Sequence, residues 1–260
     1  MKVEILGLAE GMSRSRMDSK TLGEQYAFVL FGRCNFRCGY CFMGGYETRQ
    51  TDSLPGAKII DLDQVIGFVD EQIGKAHPIR LTGGEPTLFP DAITILAQHI
   101  KAKDGYLSIA TNGSNPDIVE RLFPYLDEIS VGIKATPPEV KRLTGAAIED
   151  CWYKPLELFR RLKAYKGNLQ VNQVVTESSR YEEVEQLAKY IPTNASWRIK
   201  PALAVRHELS LHGEHSIHKS NHFKEITRGT ADEWAEKLQR KHPHLKIIST
   251  GSEIEKRLKQ

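Results

Sequence analysis

The chain has 260 residues, 40% of them hydrophobic and 27% charged, and carries a formal net charge of +3. That balance is ordinary for a soluble globular protein with one sizeable core or two small ones, and it does not point to a nucleic-acid partner. No apolar run reaches membrane-spanning length and no secretory signal opens the chain, so a cytoplasmic protein with no membrane partner is expected.

Val3-Glu4-Ile5-Leu6 reads as a short strand, and residues 11–20 as a polar loop. Tyr26 to Phe31 is a continuous apolar run, as a strand buried on both faces should be. It leads into three closely spaced cysteines and then a loop with Gly44, Gly45, Pro55 and Gly56. From there strands and helices alternate. Leu62, Val65, Ile66, Val69 and Ile73 form one stripe of a helix over 61–74, with Asp61 and Gln64 as a capping box. Pro78 to Leu81 is a second strand, followed by a helix over 91–103; Leu107 to Ala110 is a third. Asn115 and Pro116 supply a cap and a first-turn proline for the next helix. Ile129 to Ile133 is the fourth strand, 153–166 a helix, and Leu169 to Val175 the fifth strand. Ser179 and Glu182 suggest a capping box for a helix to Tyr190; Trp197 to Lys200 is the sixth strand. Thr230 and Glu233 would cap a last helix to about 241, with Leu245 to Ile248 as a final short strand.

Such alternation implies a parallel sheet with right-handed crossovers, and six units suggest a partial, strongly curved (β/α)6 barrel with outer helices. Ligands bind at the carboxyl ends of strands in such folds. The unusual residues fall there: cysteines after strand one, Gly83-Gly84-Glu85-Pro86 after two, Thr111-Asn112-Gly113 after three, Lys134 after four. The expected organisation is an N-terminal extension over 1–23, a core over 24–205, and a His-rich loop with a terminal helix and strand over 206–260.

Cys34, Cys38 and Cys41 are spaced four and three residues apart, and the one other cysteine, Cys151, is distant. Thiolates are soft ligands that suit zinc or iron–sulfur clusters. Three of them leave one iron of a 4Fe–4S cube without a protein ligand. A zinc site completed by a distant histidine or Cys151 is the alternative, and Cys151 reads otherwise as a buried core residue. The CxxxCxxC spacing, with Tyr40 before its last cysteine, resembles the signature of the radical S-adenosylmethionine (radical SAM) superfamily. Gly83-Gly84-Glu85 resembles that family's GGE motif, and Ile79 to Pro86 is especially similar to the version in the molybdenum-cofactor synthase branch. Asn112 resembles the asparagine of a frequent TNG triplet, although a plain turn asparagine reads the same way.

The resemblance implies a 4Fe–4S cluster on Cys34, Cys38 and Cys41, whose open iron binds the amino and carboxylate groups of S-adenosylmethionine. Gly83, Gly84 and Glu85 would contact the amino group, Lys134 the carboxylate, and Asn172 the ribose or carboxylate, with Tyr40 and Asn112 nearby. It implies reductive cleavage to methionine and a 5′-deoxyadenosyl radical that abstracts hydrogen from a substrate, with a reductant such as flavodoxin or ferredoxin and an anaerobic setting. Ile133-Lys134 with Leu143-Thr144-Gly145 resembles glycyl-radical-enzyme activating enzymes, although Gly132 stands where they carry aspartate. With no second cysteine cluster, the reading leans toward an activase-like oxidoreductase acting on a protein glycine. A small molecule or nucleotide substrate is one alternative, a non-catalytic iron–sulfur or zinc protein another. His207, His212, His215, His218 and His222, with His242 and His244 beyond, read as a polar loop near the site mouth rather than a second metal site. Arg14, Arg16, Lys20 and the basic residues from Lys237 to Lys259 read as solvated surface.

Overall fold

A computed structural model of the chain describes residues 1–12, 25–41, 43, 51–137, 139–202, 210–211, 214–215 and 228–249. The strands are β1 (Lys2–Met12), β2 (Gln25–Phe31), β3 (Lys58–Asp61), β4 (Ile79–Gly83), β5 (Leu107–Thr111), β6 (Glu128–Ile133), β7 (Asn168–Val175), β8 (Ala195–Pro201), the two-residue pair β9 (Ser210–Leu211) and β10 (Glu214–His215), and β11 (Lys246–Ser249). The helices are α1 (Leu62–Gly74), α2 (Pro90–Ala102), α3 (Pro116–Leu122), α4 (Glu139–Thr144), α5 (Lys154–Leu162), α6 (Tyr181–Gln186) and α7 (Arg228–Lys241).

Among the described residues one nine-stranded sheet runs in the order β11-β8-β7-β6-β5-β4-β2-β1-β3. From β11 to β2 every neighbouring pair is parallel; β1 is antiparallel to both β2 and β3. The sheet is an open, mostly parallel α/β sheet, as expected.

Its two faces differ. Ile79, Leu81, Ile109, Val131, Val171 and Trp197 are fully buried on one side, in one cluster with Val65, Val69, Leu96 and Leu158 of the covering helices. The amphipathic stripes predicted for α1 and α2 form this layer. The alternate residues of the same strands are Arg80, Ser108, Glu128, Ser130, Gln170, Asn172, Arg198 and Lys200, which register side by side across the sheet. A parallel sheet covered on both faces by helices would be apolar throughout. The alternation therefore marks a polar inner face on which, among the described residues, a hydrophobic layer packs only at β2, where Leu30 joins Ala9, Met43 and Leu54.

Several elements differ from the sequence reading for identifiable reasons. β1 runs eleven residues, well past Leu6, because the register shifts between Ile5 and Gly7 and the irregularity absorbs a residue that breaks the strand pattern. β3 lies within the stretch read as loop and is only four residues long. The Asp61–Gln64 box forms, with Asp61 N–H donating to Gln64 Oε1 at 3.2 Å. The Ser179 box does not: Arg180 precedes the helix, and Ser179 Oγ accepts instead from Thr176 N–H at 2.9 Å. Asn115 does not cap α3 with its side chain; its Nδ2 donates to Thr87 Oγ1 at 2.8 Å. Thr230 lies inside α7, which begins at Arg228. A π turn (Glu149–Tyr153) precedes α5, and α4 was not foreseen. Of the expected His-rich loop, His207, His212, His218 and His222 lie outside the described residues. No helix among the described residues is long and apolar enough to cross a membrane.

Candidate functional site

The cysteine loop leaves the carboxyl end of β2 and is held from several sides. Cys34 N–H donates to Asp52 O at 2.9 Å, Arg37 N–H to Thr144 O at 2.7 Å, and Gly39 N–H to Leu143 O at 3.2 Å. Phe36 is 2% exposed and anchors the loop in the main core alongside the buried Cys38. Leu143-Thr144, read as a family resemblance, is thus the seat on which the loop rests. Phe36 N–H points at Cys34 Sγ at 3.4 Å, an orientation that favours a thiolate there.

None of the four cysteines is in a disulfide. Burial, then the nearby Glu85, pushes the Cys34 thiol up to about 12, so the bare group holds its proton; a bound metal's positive charge is what would draw it off. Among the described residues no three His, Cys, Asp or Glu side chains converge on the position of one ion. Three thiols spaced along one loop fit an iron–sulfur cluster, which Cys34, Cys38 and Cys41 would hold. Cys151 is elsewhere in the core, 4% exposed, its thiol facing Ala146 O at 3.9 Å.

The Gly83-Gly84 turn is packed against the root of this loop. Gly83 has φ +99°, and a Cβ there would lie 2.5 Å from Phe31 N. A Cβ on Gly84 would lie 1.9 Å from Arg33 O. The glycines thus let β4 close onto the chain's own Phe31–Arg33 backbone, where the sequence suggested close approach to a ligand. Gly84 N–H donates to Phe31 O at 2.8 Å and Glu85 N–H to Arg33 O at 2.6 Å.

Glu85 is fully buried. Its Oε1 accepts from Thr87 N–H (3.1 Å), Thr87 Oγ1 (2.6 Å) and Thr111 Oγ1 (2.8 Å), and its Oε2 from Asn112 N–H (2.6 Å). Burial raises this carboxyl above its ordinary range, against the opposing pull of those four donors. Its carboxylate thereby ties the turn after β4 to the turn after β5. Asn112 extends the link: its Nδ2 donates to Asn35 Oδ1 at 2.8 Å and its Oδ1 accepts from Ser114 N–H at 2.9 Å, while Asn35 Nδ2 donates to Ser114 Oγ at 2.9 Å. The cysteine loop, the Gly-Gly-Glu-Pro turn and the Thr-Asn-Gly turn form one hydrogen-bonded unit.

Lys134 follows β6, and its Nζ sits 5.9 Å from the centroid of the Tyr40 ring. A Cβ on Gly132 would come 2.5 Å from that Nζ, so the missing side chain at 132 is what leaves room for the ammonium. Burial, then Cys38 and Cys41, hold the Tyr40 phenol well above its ordinary value. Asn172 lies opposite Gly132 on one side and Arg198 on the other, with its Nδ2 donating to Ser130 Oγ at 2.5 Å. His242 and His244 lie past the end of α7, their rings 6.0 Å apart, and His242 Nε2 is 3.7 Å from Glu185.

The sequence reading missed the inner-face charges Arg80, Glu128, Arg198 and Lys200 and the supporting Asn35, Thr87 and Thr111. The signal was present in Ile79-Arg80-Leu81 and Trp197-Arg198-Ile199-Lys200, where charge alternates with apolar residues inside central parallel strands.

The family model of the Radical SAM superfamily matches residues 28–191. A 7-carboxy-7-deazaguanine synthase of Methanothermobacter thermautotrophicus is 28% identical over 155 residues, which are 59% of this chain and 60% of that protein. A GTP 3′,8-cyclase of Haemophilus influenzae is 30% identical over 177 residues, 64% of this chain and 50% of that one. The chain therefore spans only 50–60% of the length of these relatives. The crystal structure of Streptococcus suis SuiB bound to S-adenosylmethionine superposes with a TM-score of 0.60 at 17% identity, covering 84% of this chain and 48% of that one, a likeness of fold.

Proposed function

Because the chain belongs to the radical SAM superfamily, whose enzymes use a 4Fe–4S cluster and S-adenosylmethionine, we propose that it is a radical enzyme acting on a small molecule or nucleotide. When bound, the cluster supplies the electron that splits S-adenosylmethionine into methionine and a 5′-deoxyadenosyl radical. Cys34, Cys38 and Cys41 would hold it. The backbone of Gly83 and Gly84 would face the amino group of S-adenosylmethionine, and Lys134, kept over Tyr40 by the space at Gly132, its carboxylate. Glu85 and Asn112 are positioning residues in this reading, since their polar groups are engaged by the protein. Asn172, one strand further along the inner face, would reach the ribose or the carboxylate. A flavodoxin- or ferredoxin-like reductant would supply the electron.

The observation that carries the reading is the unit in which Glu85 ties the second and third strand-end turns while both bond to the cysteine loop. A protein that only stored a cluster would have no use for a glycine turn locked beside it. The earlier leaning toward a protein glycine gives way to a small molecule because the relatives are named for GTP and a deazaguanine, and because the inner face is polar and charged.

The test is anaerobic reconstitution with iron and sulfide, reduction, and addition of S-adenosylmethionine with nucleotides or with peptides. Formation of 5′-deoxyadenosine, lost in Cys38→Ala and stimulated by a nucleotide, is expected. A loaded, reduced protein that binds S-adenosylmethionine and yields none with any partner would overturn the radical reading; stimulation by peptides alone would overturn the small-molecule one.

A further inference from the structure

The cysteine loop is fastened through its backbone at the N–H groups of Cys34, Arg37 and Gly39. The peptide between Asn35 and Phe36 is held differently, by two side chains that anchor in different surroundings. Phe36, 2% exposed, enters the main core. Asn35 enters a closed ring of hydrogen bonds with the turn after β5. Its Nδ2 donates to Ser114 Oγ at 2.9 Å, Ser114 N–H donates to Asn112 Oδ1 at 2.9 Å, and Asn112 Nδ2 donates back to Asn35 Oδ1 at 2.8 Å.

The ring leaves neither amide a choice of orientation. Turning Asn35 over would set its nitrogen against Asn112 Nδ2, and turning Asn112 over would set its nitrogen against Ser114 N–H, donor against donor in each case. Ser114 is 1% and Asn112 8% exposed, so water competes poorly for these bonds. The ring is itself tied to the frame, because Asn112 N–H donates to the buried Glu85 Oε2 at 2.6 Å. Asn35 thus registers the start of the cysteine loop against the turns after β4 and β5.

The fixed peptide aims a donor. Phe36 N–H points at Cys34 Sγ at 3.4 Å, and its direction follows the plane of the 35–36 peptide. A donor on a ligating sulfur draws electron density from it and favours the more negative, reduced state of an attached cluster. Hydrogen bonds to the sulfurs are among the levers that set cluster potentials. With Asn35 loose, that peptide keeps one anchor of two and the N–H swings off the sulfur.

We propose that Asn35 is a positioning residue for the cluster: by locking the 35–36 peptide to the turn after β5 it keeps the Phe36 N–H on Cys34 Sγ and so sets how readily the cluster takes up an electron. The inference rests on the radical reading above and adds a residue that acts on the cluster through another group.

The experiment is a potentiometric titration of the cluster-loaded protein, followed by electron paramagnetic resonance, with iron content and amide exchange at Phe36 measured alongside. Asn35→Ala is expected to keep the iron content of the wild type and to exchange the Phe36 amide about tenfold faster. Its cluster should lose electron affinity about tenfold, a potential about 59 mV more negative for one electron. Asn35→Asp keeps the acceptor for Asn112, and the Ser114 hydroxyl turns to donate to the second oxygen, so slow exchange at Phe36 should return. Ser114→Ala removes one bond of the ring from outside the cysteine loop and should move the potential the same way by less. A merely structural role would change iron content or melting temperature and leave the potential of the loaded protein in place. The inference is overturned if Phe36 exchange or the potential is unchanged in loaded Asn35→Ala, or if the potential rises; should that variant hold no iron, the same readings on Ser114→Ala decide. Formation of 5′-deoxyadenosine by the reduced wild type tests the radical reading separately, so loss of one leaves the other standing.

Discussion

Replacing Glu85 by glutamine changes one atom yet should loosen the whole strand-end unit. In the native chain its two oxygens accept from two backbone N–H groups, of Thr87 and Asn112, and from two threonine hydroxyls. A glutamine has one acceptor oxygen. If that oxygen serves Thr87, the amide nitrogen confronts Asn112 N–H; turned over, it serves Asn112 and abandons Thr87 N–H. The hydroxyls adapt, because Thr87 Oγ1 already accepts from Asn115 Nδ2 and Thr111 Oγ1 from Gly113 N–H. One backbone donor is orphaned either way, at a cost of about 1–3 kcal/mol, and relief from burying a charge moves the value toward the lower end. Glu85→Ala orphans both, about 2–6 kcal/mol before any cavity is counted. Amide hydrogen exchange on the cluster-loaded protein reads this locally. Glu85→Gln should speed exchange at either Thr87 or Asn112 by about tenfold, and Glu85→Ala at both by more, with weakened S-adenosylmethionine binding in the same order. Unchanged exchange at both amides in Glu85→Ala would refute the argument.

Gly84→Ala should cost about 3 kcal/mol or more and yield protein that does not hold its cluster, because the new Cβ meets the Arg33 carbonyl, which is backbone and cannot swing aside; iron content and thermal unfolding check it. Gly132→Ala meets only the flexible end of Lys134, so the melting temperature should stay near the wild type while S-adenosylmethionine affinity falls severalfold by calorimetry. Burial lowers Lys200 to about 7, so it favours the fold at high pH, and that contribution is lost as pH falls from the lysine's ordinary value of 10.5 toward 7. Urea unfolding of wild type against Lys200→Met, across pH 6 to 10, reads this. Cys151→Ala should keep full iron content at a loss of about 1 kcal/mol, whereas Cys38→Ala should lose the cluster.

Local chemistry made part of this protein legible from its residues alone. The cysteine spacing, the strand–helix alternation and the apolar stripes of α1 and α2 depend on neighbours within a few positions, so they can be read along the chain. The placement of Cys34, Gly83, Asn112 and Lys134 at strand ends followed from that same periodicity. What Glu85 does could not be read this way, because its partners Thr111 and Asn112 lie 26 and 27 residues away and meet it only once β4 and β5 pair. The reason for Gly84 is Arg33, brought there by the pairing of β2 with β4. Arg80, Glu128, Arg198 and Lys200 are charges scattered over three separate strands, unremarkable one at a time. Only the register of the sheet gathers them on one face, since a parallel sheet sums across strands what each strand shows at every second residue.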